Sequence, residues 1–167
     1  MSKKVNIVWR DKVLSSYNGN IESVLIQDGK GNNIEVPNGV FVTLGDLAGM
    51  GREVKVATLG ADKGEALLVA SPEVLYESGK ELEDFVNEAG KVARAFRLAD
   101  GDVITLTEDL ITGAPAVKDV FIVGTDGKLV KSEAGAEEKA VLQFKVRESA
   151  GNELHRTAKA WRFDIVK

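Results

Sequence analysis

Glycine-containing turns divide this chain into short apolar runs, and this pattern limits the fold more than any other feature of the sequence. The chain has 17 Gly and 3 Pro in 167 residues. Alternating segments such as Glu53 to Thr58 and Ala140 to Val146 are typical of half-buried strands, and Asp126-Gly127 is a strong hairpin signal. We therefore predict a mainly β fold, a compact barrel or sandwich of about nine or ten short strands.

The segment from Ser78 to Gly90 carries the one strong helix signal. Ser78 and Glu81 have the spacing of a capping box, and Gly90 occupies the position of a C-terminal cap. Apolar residues recur between them at the spacing of one helical face: Leu82, Phe85, Val86 and Ala89. We predict one short α-helix here, of about three turns, covering an open end or face of the β structure.

Composition excludes several classes of protein. The net charge is -4, from 22 Lys and Arg against 26 Asp and Glu, and the signs are mixed along the chain. Nucleic-acid binders usually carry a basic surplus, so we predict no nucleic-acid partner. The chain has no Cys, which excludes disulfides and thiolate metal sites. No apolar run approaches the roughly 18 residues of a membrane span, and none resembles a signal peptide, so we predict synthesis in a cytoplasm and no membrane partner.

The residues that usually carry chemistry form no recognisable pattern. His155 is the only histidine, and we interpret it as a solvated turn residue. Asp28, Asn32 and Asn33 lack the spacing of an EF-hand calcium loop. The acidic residues around the predicted helix are typical of its polar face: Glu77, Glu81, Glu83, Asp84 and Glu88. We therefore predict no catalytic residue, no cofactor, no metal site and no enzymatic activity.

Residues 1–38 differ from the rest, and we predict an extended N-terminal arm there, followed by a β-rich globular domain over residues 39–167. Turn-forming residues separate the short apolar pieces of the arm, so each piece buries little area. The alternative is that these pieces fold back as edge strands of the domain. The large aromatic residues Trp9 and Tyr17 suit either anchors in a partner's pocket or packing on the domain's own sheet.

A partner interface is predicted from the apolar residues of the arm and from two arginines. Arg94 and Arg97 suit pairing with carboxylates, in this chain or in a neighbouring subunit, because a guanidinium binds a carboxylate with two hydrogen bonds. The predicted interface residues are Val5, Ile7, Trp9, Tyr17, Arg94 and Arg97.

Several segments together resemble a known group of proteins. They read NGVFVTLGDL from Asn38, EVKVATLG from Glu53, LLVASPEVLYE from Leu67 and FVNEAGKVARAFRLADGDVITLT from Phe85, and a β-rich tail follows with an FKV segment. This pattern resembles small structural proteins from tailed bacteriophages of Gram-positive bacteria and their prophages. The resemblance covers most of residues 38–148, and Asn87 to Asp102 is its most specific part.

The resemblance implies a non-enzymatic virion protein, and we expect a decoration or cement protein on the capsid surface. Its partners would be subunits of the major capsid protein and further copies of itself, with a trimer expected by analogy. One alternative is a tail-tube or neck protein, which would form rings. An alternative of another class is a host-surface carbohydrate-binding module, which the aromatic content of 6% disfavours.

Overall fold

The computed structural model describes residues 6–8, 21–49, 53–61, 65–75, 79–133, 136 and 139–166. These residues form a closed five-stranded barrel and a six-stranded sheet. The barrel strands are β1 (Ile21–Gln27), β2 (Phe41–Leu47), β3 (Val54–Leu59), β4 (Leu67–Val69) and β5 (Ala93–Arg97). The strands of the sheet are β6 (Val103–Thr107), β7 (Ile111–Thr112), β8 (Val120–Val123), β9 (Leu129–Lys131), β10 (Gln143–Gly151) and β11 (Ala160–Val166).

The barrel closes because β1 lies between two strands that come much later in the chain. Its order is β1-β3-β2-β4-β5, and β1 pairs parallel to β3 and antiparallel to β5. The inner side of β1 carries buried apolar residues, including Val24 and Ile26. All three residues of β4 are buried, as the continuous apolar run Ala66 to Ala70 predicts. Closure pairs every barrel strand on both sides and so removes free edges.

The six-stranded sheet follows the order β6-β11-β10-β8-β9-β7. The long hairpin of β10 and β11 contains two register shifts, between Val146 and Glu148 and between Ser149 and Gly151. The β8–β9 hairpin turns at Asp126-Gly127, so that prediction is confirmed.

The barrel and the sheet share one apolar core. The ring of Phe41 on β2 meets the ring of Phe144 on β10 edge-on, with centroids 4.9 Å apart. The backbone N–H of Phe41 donates to the carbonyl oxygen of Gly127, at 2.7 Å, in the turn between β8 and β9. Both rings are fully buried, so water is excluded from this contact between the two layers.

The structure confirms a mainly β fold with a barrel and corrects two details. The described residues form 11 strands, more than the nine or ten predicted, and a second sheet joins the barrel. The predicted α-helix is wrong: no α-helix occurs in the described residues, and the segment contains only the 3₁₀ turn Leu82–Asp84. A capping box does form, between Glu81 and Asp84, whereas Ser78 lies outside the described residues.

Tertiary pairing explains why the helix is absent. Asn87 lies in the last turn of the predicted helix, but its backbone forms an antiparallel bridge with Val36, with N to O distances of 2.8 and 3.1 Å. A residue paired in this way is extended and cannot continue a helix. The predicted apolar face is therefore not buried as a unit, and Leu82 is 52% exposed. Gly90 does end the segment in a left-handed conformation, with φ of 79°.

Part of the predicted arm lies in the barrel. Strand β1 closes the barrel, and Val36 bridges to Asn87, so residues 21–38 pack with the domain that follows them. Of residues 1–20, the structure describes Asn6–Val8, which lie beside β6. For residues 1–5 and 9–20, which lie outside the described residues, the arm stays a prediction.

Substituting Gly127 by alanine tests the contact between the barrel and the sheet. A Cβ atom at Gly127 would lie 2.6 Å from the carbonyl oxygen of Phe41, closer than real Cβ atoms approach. We expect Gly127→Ala to lower the free energy of unfolding by about 2 kcal/mol more than Gly101→Ala, measured by urea denaturation. Gly101 is the matched control, because its φ is also positive, 86°, while its Cβ would meet nothing within 4 Å. If the two variants lose equal free energy of unfolding, the close contact between Gly127 and the carbonyl oxygen of Phe41 is contradicted.

Candidate interaction surface

A buried network of amide groups joins three segments beside the barrel. The side-chain oxygen of Asn38 accepts hydrogen bonds from the backbone N–H of Ser71, at 2.9 Å, and from the side-chain amide of Asn87, at 3.0 Å. The amide nitrogen of Asn38 donates to the carbonyl oxygen of Ser71 at 2.9 Å. Asn38 is 1% exposed and Asn87 is 7% exposed, so these bonds form without competition from water.

The same network holds the start of β5. The hydroxyl oxygen of Ser71 accepts a hydrogen bond from the backbone N–H of Arg94, at 2.9 Å. The side-chain amide of Asn87 also donates to the carbonyl oxygen of Val36, at 3.2 Å. The segment around Asn87, the loop after β4 and β5 are therefore fixed relative to one another.

A surface groove lies beside this network. It has a volume of about 340 Å³. Apolar and charged side chains line it, among them Pro72, Phe85, Val86, Val92, Glu88, Lys91 and Arg94. Val92 is 46% exposed, which is a large exposure for an apolar residue in a concave site.

The charges of the groove are unevenly paired. Lys91 forms an ion pair with Glu88, at 2.8 Å, and a hydrogen bond from Lys91 holds the pKa of the Glu88 carboxyl below its usual value. The side chain of Arg94 is exposed and forms no ion pair with a carboxylate among the described residues. The groove therefore offers apolar side chains together with a guanidinium that is available to an anionic group.

Arg97 belongs to a different cluster, which joins three strands of the barrel. Its guanidinium contacts the carboxylates of Glu22, at 2.9 Å, and Glu65, and the amino group of Lys55 contacts Glu22 at 3.2 Å. Burial raises the pKa of Glu22, but the hydrogen bonds from Arg97 and Lys55 outweigh this effect and lower the pKa overall. These ion pairs connect β1, β3 and β5 across the seam where the barrel closes.

The predicted interface residues do not share one surface in the described structure. Arg94 lines the groove, and Arg97 pairs with carboxylates of its own chain, as its residue type suggests. Ile7 lies beside β6, where it is buried against Ala158. Val5, Trp9 and Tyr17 lie outside the described residues.

The sequence analysis missed the amide network. Asn87 lies off the apolar face formed by Leu82, Phe85, Val86 and Ala89, so the helix pattern assigns it to the polar side. The sequence therefore carries no local signal that this amide is buried. Nothing in the sequence indicates that Asn38 and Ser71 are its partners, because these residues meet only in the folded chain.

His155 is not a solvated turn residue, which corrects that interpretation. Its side chain is 20% exposed, and its Nε2 atom lies 2.8 Å from a carboxylate oxygen of Glu83. The backbone N–H of Thr157 donates to its Nδ1 atom at 3.3 Å. The histidine thus connects the loop before β11 to the 3₁₀ turn.

Neither a metal-binding cluster nor a membrane-spanning helix occurs in the part of the chain that the structure describes. Within the ranges that the structure describes, no group of three His, Cys, Asp or Glu side chains is arranged to hold a metal ion. No helix in this part of the chain has the length and apolar character that crossing a bilayer requires. No protein family, curated protein or solved structure matches the chain.

Substituting Asn38 by alanine tests the amide network. The variant leaves the Ser71 N–H and the Asn87 amide without their common acceptor, and both are buried. We expect Asn38→Ala to lower the free energy of unfolding by about 3 kcal/mol in urea denaturation. Asn33→Ala, at an exposed amide with a single side-chain hydrogen bond to Gln27, should change it by no more than about 0.5 kcal/mol. Similar values for the two variants would rule out a stabilising network.

The Glu22 cluster predicts a pH dependence of stability. The folded chain holds the pKa of Glu22 below 4.5, the usual value for a glutamate carboxyl. The ionised carboxylate therefore stabilises the fold above pH 4.5. This contribution is lost as the pH falls through the lower pKa of the folded state. We expect urea denaturation between pH 3 and pH 6 to show a smaller acid-induced loss of stability in Glu22→Gln than in the unchanged chain.

The control for this measurement is Glu35→Gln, at an exposed position outside the cluster. It should keep the acid-induced loss of the unchanged chain. If Glu22→Gln keeps the same pH dependence as this control, Glu22 does not couple folding to protonation.

Proposed function

We propose that this protein is a non-enzymatic structural protein of a virion, and that it decorates the head of a tailed phage by binding subunits of the major capsid protein. The resemblance over residues 38–148 supports the virion role. The observation that carries the binding role is the groove beside β5, where the guanidinium of Arg94 stands next to exposed apolar side chains.

The chemistry of the groove defines what it would bind. An arginine fork suits a carboxylate, and Pro72, Phe85 and Val92 suit an apolar side chain next to it. The fitting partner is therefore an exposed segment of a capsid subunit that presents an Asp or Glu beside an apolar residue. Such a segment gains an ion pair with Arg94, which forms no ion pair of its own among the described residues.

The amide network prepares the groove for binding. Ser71 and Asn87 line the groove and are held by Asn38, while Ser71 also fixes the backbone of Arg94. A wall that is already ordered loses little conformational entropy when a partner binds. The groove therefore supports recognition by a rigid β domain.

Binding by several copies would strengthen the attachment. One groove of this size buries less area than a stable protein interface, which needs roughly 800 Å² from each partner. If copies associate at a symmetric position of the shell, such as a three-fold axis, each bound copy raises the effective concentration of the others. A trimer is consistent with this arrangement, and the capsid surface is the proposed location.

The test is co-sedimentation with expanded, undecorated heads of the phage or prophage that encodes the chain. Full-length variants are required, because a truncation at Asn38 would remove β1 and open the barrel. We expect the unchanged chain to bind saturably. Arg94→Glu should weaken binding at least about tenfold, because it replaces the guanidinium by a carboxylate that repels the carboxylate of the partner.

The matched control is Arg156→Glu, which makes the same charge change at an exposed arginine in the loop before β11. It should bind as the unchanged chain does. Equal weakening in both variants would indicate a general charge effect and would contradict a role for the groove. If no variant binds and the free protein assembles into rings or tubes, the tail-tube alternative replaces capsid decoration.

A further inference from the structure

The N-terminal residues Asn6–Val8 lie along the outer side of β6, which is the last strand at one side of the sheet. Val8 forms an isolated antiparallel bridge with Leu106. The backbone N–H of Thr107 donates to the carbonyl oxygen of Ile7, at 3.3 Å, and the N–H of Ile7 donates to the hydroxyl oxygen of Thr107, at 3.1 Å. This segment therefore adds to the sheet as a short strand, and we call its position the β6 seat.

The β6 seat binds apolar side chains as well as backbone. Val8 is 1% exposed and packs into the main core, while Ile7 is 5% exposed and packs with Ala158 and the half-buried Leu154. Backbone hydrogen bonds combined with pockets for side chains are the usual means by which a sheet edge recognises an extended peptide. Here the peptide is the chain's own N-terminal segment.

One atom of this segment is not satisfied in the single chain. The side-chain oxygen of Asn6 is buried and accepts no hydrogen bond from the described residues. Nearly all buried polar side-chain atoms in folded proteins have a partner, and an unpaired one lowers stability. The segment therefore keeps a buried acceptor that no described residue of its own chain satisfies, and a donor from an adjacent copy would satisfy it.

The link between the segment and the barrel permits another arrangement. Residues 9–20 connect Val8 to Ile21, and a stretch of that length spans up to roughly 40 Å when it is extended. This reach exceeds the length of the contact between residues 6–8 and β6. The segment of one copy can therefore reach β6 of an adjacent copy. Every copy carries the same segment and the same seat, which is the condition for domain swapping.

We propose that the β6 seat is an interface between copies of this chain, in which residues 6–8 of one copy pair with β6 of another. A reciprocal exchange keeps every contact of the seat. The balance between the closed and the exchanged form is then set by protein concentration and by the new contacts between neighbouring copies. Exchange needs no capsid, so its outcome does not depend on the decoration role.

The test uses a mixture of two single-cysteine variants, Val8→Cys and Leu106→Cys. The hydrogen bonds lie at the flanking pair Ile7 and Thr107, so Val8 and Leu106 form a non-hydrogen-bonded pair, whose Cα atoms are typically about 4.5 Å apart. That spacing suits a disulfide. The natural chain has no Cys, so a disulfide joining one copy of each variant reports exchange.

The two variants are mixed in urea, refolded together at high protein concentration and oxidised, and the disulfide-linked dimers are quantified by intact mass. We expect at least about fivefold more mixed dimer than from the control pair, Val8→Cys with Val117→Cys, because domain swapping places only the first pair in contact. Val117 is 57% exposed and lies away from the seat, so it measures random collision.

A mixed-dimer yield equal to that of the control would overturn exchange. If a cysteine variant does not fold, sedimentation velocity provides a second test. The unchanged chain is refolded over a range of protein concentrations and its mass is measured. A mass that rises with concentration and falls back to the monomer in Val8→Asp would support the interface. A monomer at every concentration would overturn it.

Discussion

The backbone of Phe41 is the point on which both layers of the structure depend. Its N–H donates to Gly127 in the turn of the six-stranded sheet, and its carbonyl oxygen accepts from the N–H of Gly60 in the barrel. Its ring packs against Phe144 of the sheet. Because these contacts belong to one residue, the barrel cannot shift against the sheet without breaking hydrogen bonds and opening the core. The two layers are therefore held together at this residue by hydrogen bonds as well as by the shared core.

The candidate surface follows from a second constraint, the need to pair buried amides. Asn38 and Asn87 cannot be buried unless each finds partners. Their partners are one another, Ser71, the carboxylate of Glu73 and the backbone of Val36. Satisfying these groups fixes the segment that forms one side of the groove. The residues that lie next to this network, such as Arg94, gain a defined position although their side chains point to solvent.

Local patterns predicted the strands well and predicted long-range pairing poorly. The predicted strand Glu53 to Thr58 agrees with β3, Val54–Leu59, to within one residue, and the predicted turn Asp126-Gly127 joins β8 and β9, because alternation and turn residues are local signals. The helix prediction failed at Asn87, where pairing with Val36 overrides the local preference. The position of β1 could not be predicted, since no local pattern reports which strands it joins. The groove also depends on contacts between residues that are distant in the sequence, so local patterns could not predict it either.

The position of β1 has a consequence for how the chain acquires its structure. Barrel closure pairs Ile21 with Phe96, and it pairs Val24 with both Lys55 and Ala93. The first barrel strand to be synthesised therefore completes its pairing only after the last one has been synthesised. Until residue 97 has left the ribosome, β1 exposes an unpaired edge beside the apolar run of Val24 to Ile26. Contacts between distant residues form slowly, and open strands of this kind are sites of misassembly. Synthesis therefore leaves a period in which the open edge of β1 is available to pair with neighbouring chains.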